Sequence, residues 1–170
     1  MQLLGKISAS LAGQINAQFP HLQRVREHAR IEAPRVAISV FDHWLRDPAQ
    51  WPLLDCNDGP ERIARNRKFA AHWAALFDLT AVYTVRNRGR WPHKSRLIIK
   101  RYTNRQGFLD QCRFDANPTP SQFVILPEYG CIYAESWDDT NLLYCNDRQA
   151  AEPVLQLARD AGLHVLDCEI

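Results

Sequence analysis

The period of apolar and polar positions changes along this chain, and the changes mark its elements. Leu3, Leu4, Ile7, Leu11 and Ile15 recur at helical spacing and predict an amphipathic helix over about residues 2–18, ending near Phe19-Pro20. Leu22, Val25, Ala29 and Ile31 repeat the pattern over a shorter span. Val36, Ala37, Val40, Phe41, Trp44 and Leu45 carry it on as a helix that starts or bends at Pro34. Residues 47–59, DPAQWPLLDCNDG, are rich in proline and aspartate and read as a loop, with Trp51, Leu53 and Leu54 anchored on the core. Asp58-Gly59-Pro60-Glu61 then has the composition of a helix start. In that helix Ile63, Ala70, Trp73, Ala74 and Phe77 face inward, and Arg62, Arg65, Arg67 and Lys68 face solvent.

From Leu79 strand-forming residues take over. Residues 81–85 and 97–102 predict a hairpin around a turn at 87–92, and residues 108–114 fit a strand or a helical turn equally. Residues 123–126, 131–135 and 141–145 predict a three-strand meander with turns at 127–130 and 136–140. A helix capped near Asp147, with its true start near Glu152 and its stop at Gly162, leads to a last strand at 163–166. The order predicts the α+β class: a mainly antiparallel sheet of about five to six strands, with N-terminal helices and one C-terminal helix packed on one side of it. The chain reads as a single domain over 1–170, helical over about 1–78 and sheet-rich over about 79–170.

Composition narrows the class. A hydrophobic share of 46% with 24% charged residues is ordinary for a globular chain, and no stretch approaches the ~18 apolar residues that a membrane span needs. Lys6, Ser8, Ser10, Gln14 and Asn16 break up the N-terminal apolar content, so no secretory leader is expected. The five cysteines are odd in number, widely spaced and without a C-x2-C pair, a pattern that predicts buried reduced thiols in a cytoplasmic protein. Charge is segregated: residues 1–106 hold 18 Lys and Arg against 8 Asp and Glu, and residues 107–170 hold 3 against 11. Such a layout steers a charged partner if the fold keeps the halves apart.

No phosphate loop, dinucleotide fingerprint, nucleophile elbow or metalloprotease helix is present, so neither a cofactor nor a catalytic residue is expected. His43, His72, His93 and His164 fall at spacings that select no nucleophile and base, and His72 beside Trp73 reads as a packed or a surface histidine. Two groupings remain. Glu128, Tyr129, Glu135, Trp137, Asp138, Asp139 and Asp147 combine aromatic anchors with acidic steering, which suits docking to a basic protein. Glu135, Asp138 and Asp139 also have the chemistry to hold Mg²⁺, although aspartates at a turn serve the backbone more often. The other grouping, Arg86, Arg88, Arg90, Trp91, Lys94, Arg96, Lys100 and Arg101, lies in a stretch with no acid and points to nucleic acid, as a binding protein or a metal-dependent nuclease.

The segments FVILPEYG, CIYAESWDDTNLLY and RQAAEPVLQLARDAGLHVL resemble the C-terminal half of small bacterial proteins that accompany secreted toxins as immunity proteins. The resemblance implies a non-enzymatic cytoplasmic inhibitor that binds a cognate protein toxin and occludes its active site. The basic first half departs from that pattern and leaves the toxin's own charge and chemistry open.

Overall fold

The computed structural model describes residues 2–22, 25, 34–56, 58–88, 96–111, 123–135 and 139–168. In chain order the elements are Leu4–Gly5 (β1), Ala9–Gln18 (α1), Arg35–Ser39 (β2), a 3-10 helix at Pro48–Leu54, Gly59–Leu79 (α2), Tyr83–Arg88 (β3), Arg96–Tyr102 (β4), Arg105–Gln111 (α3), Phe123–Leu126 (β5), a 3-10 turn at Pro127–Tyr129, Cys131–Glu135 (β6), Thr140–Cys145 (β7), Glu152–Asp160 (α4) and His164–Asp167 (β8). The strands form one sheet in the order β1-β4-β3-β5-β6-β7-β2-β8, and every neighbouring pair is antiparallel. The predicted α+β class and the antiparallel sheet are therefore present, with eight strands among the described residues in place of five or six.

Two of the extra strands come from stretches that sequence reading assigned to helices. Leu4–Gly5 pairs with Arg101 and Tyr102, so the first helix is shorter than residues 2–18 and starts at Ala9, where the Ser8 Oγ accepts from the Leu11 backbone N–H at 3.1 Å. At Gly5 a Cβ would stand 2.8 Å from the Thr103 Cγ2, so this crossing admits little more than glycine. Val36, Ala37 and Ile38 are buried in β2 between β7 and β8. Covered on both faces, they carry no alternation, and the apolar run continuing to Leu45 mimics a helical period. Leu22 and Val25 are buried as expected for the second predicted helix, whose residues 23–24 and 26–33 lie outside the described residues.

The sheet has helices on both faces, where one covered side was expected. Val124, Leu126, Cys131, Tyr133 and Leu143 pack against Phe69, Trp73 and Leu76 of α2, with Phe108 of α3 and Val154 and Leu155 of α4 in the same cluster. The alternate positions Phe123, Ile125, Ile132 and Ala134 pack with Ile15 and Phe19 from α1. Each such side chain contributes about 1.5–3 kcal/mol by leaving water, so the meander carries much of both cores. The inward stripe of α2 is Arg65, Phe69, His72, Trp73 and Leu76, displaced from the predicted one, and Ile63 and Ala70 face solvent.

The outer edge of β8 is covered. Trp44 donates its indole N–H to the Asp167 carbonyl at 2.9 Å, and Arg148 pairs with the Asp167 carboxylate, which blunts an otherwise unpaired strand. Among the described residues no helix is long and apolar enough to cross a membrane.

Candidate functional site

Strand register decides which of the predicted partner-binding residues meet. β6 runs from Cys131, opposite Cys145, to Glu135, opposite Asn141. Four residues of strand separate those ends by roughly 13 Å. Glu128, Tyr129 and Asp147 therefore lie at one end of the meander, and Glu135 and Asp139 at the other. The five of these residues that are described are divided between two ends of the sheet. Trp137 and Asp138 lie outside the described residues, as does the Glu135 side chain.

At the first end the polar groups serve the chain itself. Glu128 accepts from the Thr80 hydroxyl at 2.6 Å, and Tyr129 is half-buried against the core. Burial and the adjacent Glu128 carboxylate push the Tyr129 phenol up. The Asp147 carboxylate accepts from the Gln149 backbone N–H at 2.9 Å and its carbonyl from Ala151, fixing the turn before α4.

At the second end Asp139 departs furthest from the reading as a free docking carboxylate or Mg²⁺ ligand. Its φ of 54° is left-handed, a conformation that aspartate tolerates better than most residues. One carboxylate oxygen takes Arg62 at 2.5 Å and the other takes Arg65 at 2.8 Å, with the Asp139 side chain only 9% exposed. Arg65, read from sequence as a solvated helix position, is buried. It also donates to the Leu53 carbonyl at 3.0 Å, pairs with Glu61, and lies 5.0 Å from the centre of the Phe41 ring. Burial alone would lower the Arg65 pKa, and the hydrogen bonds it donates to Asp139 and Glu61 overcome it, so the guanidinium is held more firmly charged. Arg62 reaches the Cys56 carbonyl at 3.3 Å. The two arginines thus tie Asp139, the start of α2 and the Leu53 and Cys56 carbonyls together.

The same stretch carries a surface that charge totals for the two halves of the chain concealed. Trp51 is 54% exposed and Leu53 47% exposed on the 3-10 helix, where sequence reading placed both on the core; Ile63 on α2 is 51% exposed. Asp42, Asp47, Asp55, Asp58 and Glu61 are all exposed, and Arg46 is the single Lys or Arg between residues 40 and 61. His43 bridges Asp42 at 2.5 Å and Gln50 at 2.8 Å, so both ring nitrogens are engaged, and that contact holds the Asp42 carboxyl below its ordinary range. Among the described residues no three His, Cys, Asp or Glu side chains come together to hold a metal ion.

The described positions of the basic grouping lie on β3 and β4, toward the other lateral edge of the sheet. Register places Arg86 opposite Ile98, Arg88 opposite Arg96, and Lys100 opposite Thr84, so positions 86, 88, 96 and 100 share one sheet face; Arg101, opposite Tyr83, belongs to the other. Arg86 and Arg101 are exposed and Lys100 is half-buried. Arg90, Trp91 and Lys94, together with the side chains of Arg88 and Arg96, lie outside the described residues. Four strand spacings, roughly 19 Å, separate β3 from β2. Compared with protein-family profiles, curated proteins and solved structures, the chain matches none.

Proposed function

We propose that this chain is a non-enzymatic immunity or inhibitor protein that binds a basic protein toxin and covers its active site, docking through the surface built from residues 40–63. The observation that carries the reading is the exposure of Trp51, Leu53 and Ile63 in a segment that also exposes Asp42, Asp47, Asp55, Asp58 and Glu61 and is tied to Asp139 through Arg62 and Arg65. Tryptophan anchors supply much of the energy of protein interfaces, and exposed acids raise the encounter rate with a basic partner. Such ties lower the ordering cost of association. The meander's Glu135, Trp137 and Asp138 extend the same acidic and aromatic chemistry in sequence, beside Asp139.

The test is titration of this protein with the purified product of each gene neighbouring its own, together with growth rescue on co-expression. Trp51→Glu with Leu53→Glu is expected to weaken the complex at least tenfold and leave the urea midpoint within error, because neither side chain is buried. Unchanged affinity would move the interface elsewhere, and no complex at all would remove the reading.

The shared face of positions 86, 88, 96 and 100 favours one competing reading, a nucleic-acid surface. It requires oligonucleotide affinity that falls steeply with salt and is lost in Arg86→Glu with Lys100→Glu.

A further inference from the structure

Cys131 and Cys145 are the first residue of β6 and the last of β7, and they face each other directly in register. The Asn146 N–H donates to the Gly130 carbonyl at 2.9 Å, immediately outside the pair, and the Cys145 N–H turns away to the Pro34 carbonyl at 3.0 Å, just before β2. Those two bonds make Cys131 and Cys145 a non-hydrogen-bonded pair, the type in which opposed Cα atoms approach to about 4.5 Å and side chains lean together. A disulfide spans Cα separations of about 4.4–6.8 Å, a range that includes the spacing typical of this pair type. Both thiols are buried in the same core cluster as α2 and α4. In the dithiol form Cys131 donates to the Tyr129 carbonyl at 3.0 Å and Cys145 to the Leu143 carbonyl at 3.7 Å.

We infer that Cys131 and Cys145 form a redox-convertible dithiol, closing a cross-strand disulfide that staples β6 to β7 when the protein meets a low-molecular-weight disulfide such as oxidised glutathione. The Cys145 thiolate attacks one glutathione sulfur and expels a glutathione thiolate. The Cys131 thiol then gives up its proton, and its sulfur displaces the second glutathione from Cys145. Two protein thiols are oxidised to one disulfide, and one glutathione disulfide is reduced to two glutathione molecules.

The position admits this chemistry despite burial, because the pair ends its ladder. Beyond it lie the left-handed Gly130 and the exposed Asn146, and opening at a strand end costs less than opening in its middle. The contact with Cys131 lowers the Cys145 thiol while burial raises it, and Cys145 adjoins the exposed Asn146 at the strand end. Cys56 and Cys168 are the other cysteines with a described position, and neither faces a second cysteine across a strand pair.

The test is incubation of the folded, full-length protein with oxidised glutathione, followed by thiol titration, intact mass and peptide mapping. The expected result is a loss of two of the five thiols, a mass lower by two hydrogens, and one cross-linked peptide joining Cys131 to Cys145. The variant with Cys56→Ser, Cys112→Ser and Cys168→Ser keeps that product, and Cys131→Ser alone abolishes it. Persistent thiols, a stable glutathione adduct, or no cross-link in the triple variant overturns the inference. This outcome is independent of the toxin-binding reading, because the pair lies at the end of the meander away from Asp139.

Discussion

His72 sits in the middle of α2 with ring centroids 5.8 Å from Trp73 and 5.6 Å from Tyr133, fully enclosed, and neither ring nitrogen has a partner of good geometry. Burial lowers its pKa from 6.5 to about 4, opposed only in part by the Leu157 backbone. The unfolded chain therefore binds a proton that the folded chain refuses between pH 6.5 and 4. Stability is full above the unfolded pKa and is lost as the pH falls through that window. Between pH 7 and pH 5 the loss from this residue is about 2 kcal/mol. Urea unfolding at the two pH values checks it: His72→Phe is expected to lose less stability over the same interval, and equal losses would refute the assignment. Beside Trp73 in a helical run, nothing in the sequence distinguishes a packed from a surface histidine at this position. The burial is decided by Tyr133, sixty-one positions later, which no local pattern connects to it.

Asp139 shows how one side chain holds elements together. Its carboxylate fixes Arg62 and Arg65, and through their bonds to Cys56 and Leu53 it docks the 3-10 helix against α2 and the β6–β7 turn. Asp139→Asn preserves shape and tolerance of the left-handed backbone but leaves a buried guanidinium without its principal charge. That change is expected to cost about 3 kcal/mol, read as a lower urea midpoint, with faster proteolysis inside 40–56; an unchanged midpoint would show the pairs to be dispensable. Elements were legible where local pattern and tertiary burial agree. β5 and β6 are short apolar runs bounded by the turn residues of 127–130, β7 alternates half-buried and buried positions, and α4 announces itself by Ala151, Val154, Leu155 and Ala158 before a positive-φ Gly162. β2 was hidden because its apolar run continues at helical spacing to Leu45 with no glycine or proline to end it, and the α2 stripe was misplaced because a buried arginine was counted as polar surface. The acids between Asp42 and Glu61 were visible in the chain; the basic total of the first half masked them, and a shorter counting window isolates them.

For the molecule as a whole, sheet order turns a linear charge imbalance into a lateral one, with β3 and β4 toward one side and the acid-flanked β2 and β7 toward the other. If the acidic surface steers a basic toxin, the association rate is expected to fall about tenfold between low and high ionic strength while the dissociation rate changes little. Stopped-flow mixing measures both, and a salt-insensitive association rate would leave the acids without a kinetic role. The place of β2 has a temporal consequence. Its hydrogen-bonding partners on either side arise from residues roughly a hundred and more positions downstream. On a ribosome this segment emerges long before either neighbour exists, and contacts of such long range close slowly. Assembly of the central sheet must then wait until most of the polypeptide has been translated, which exposes Val36, Ala37 and Ile38 to chaperones or to wrong partners during synthesis.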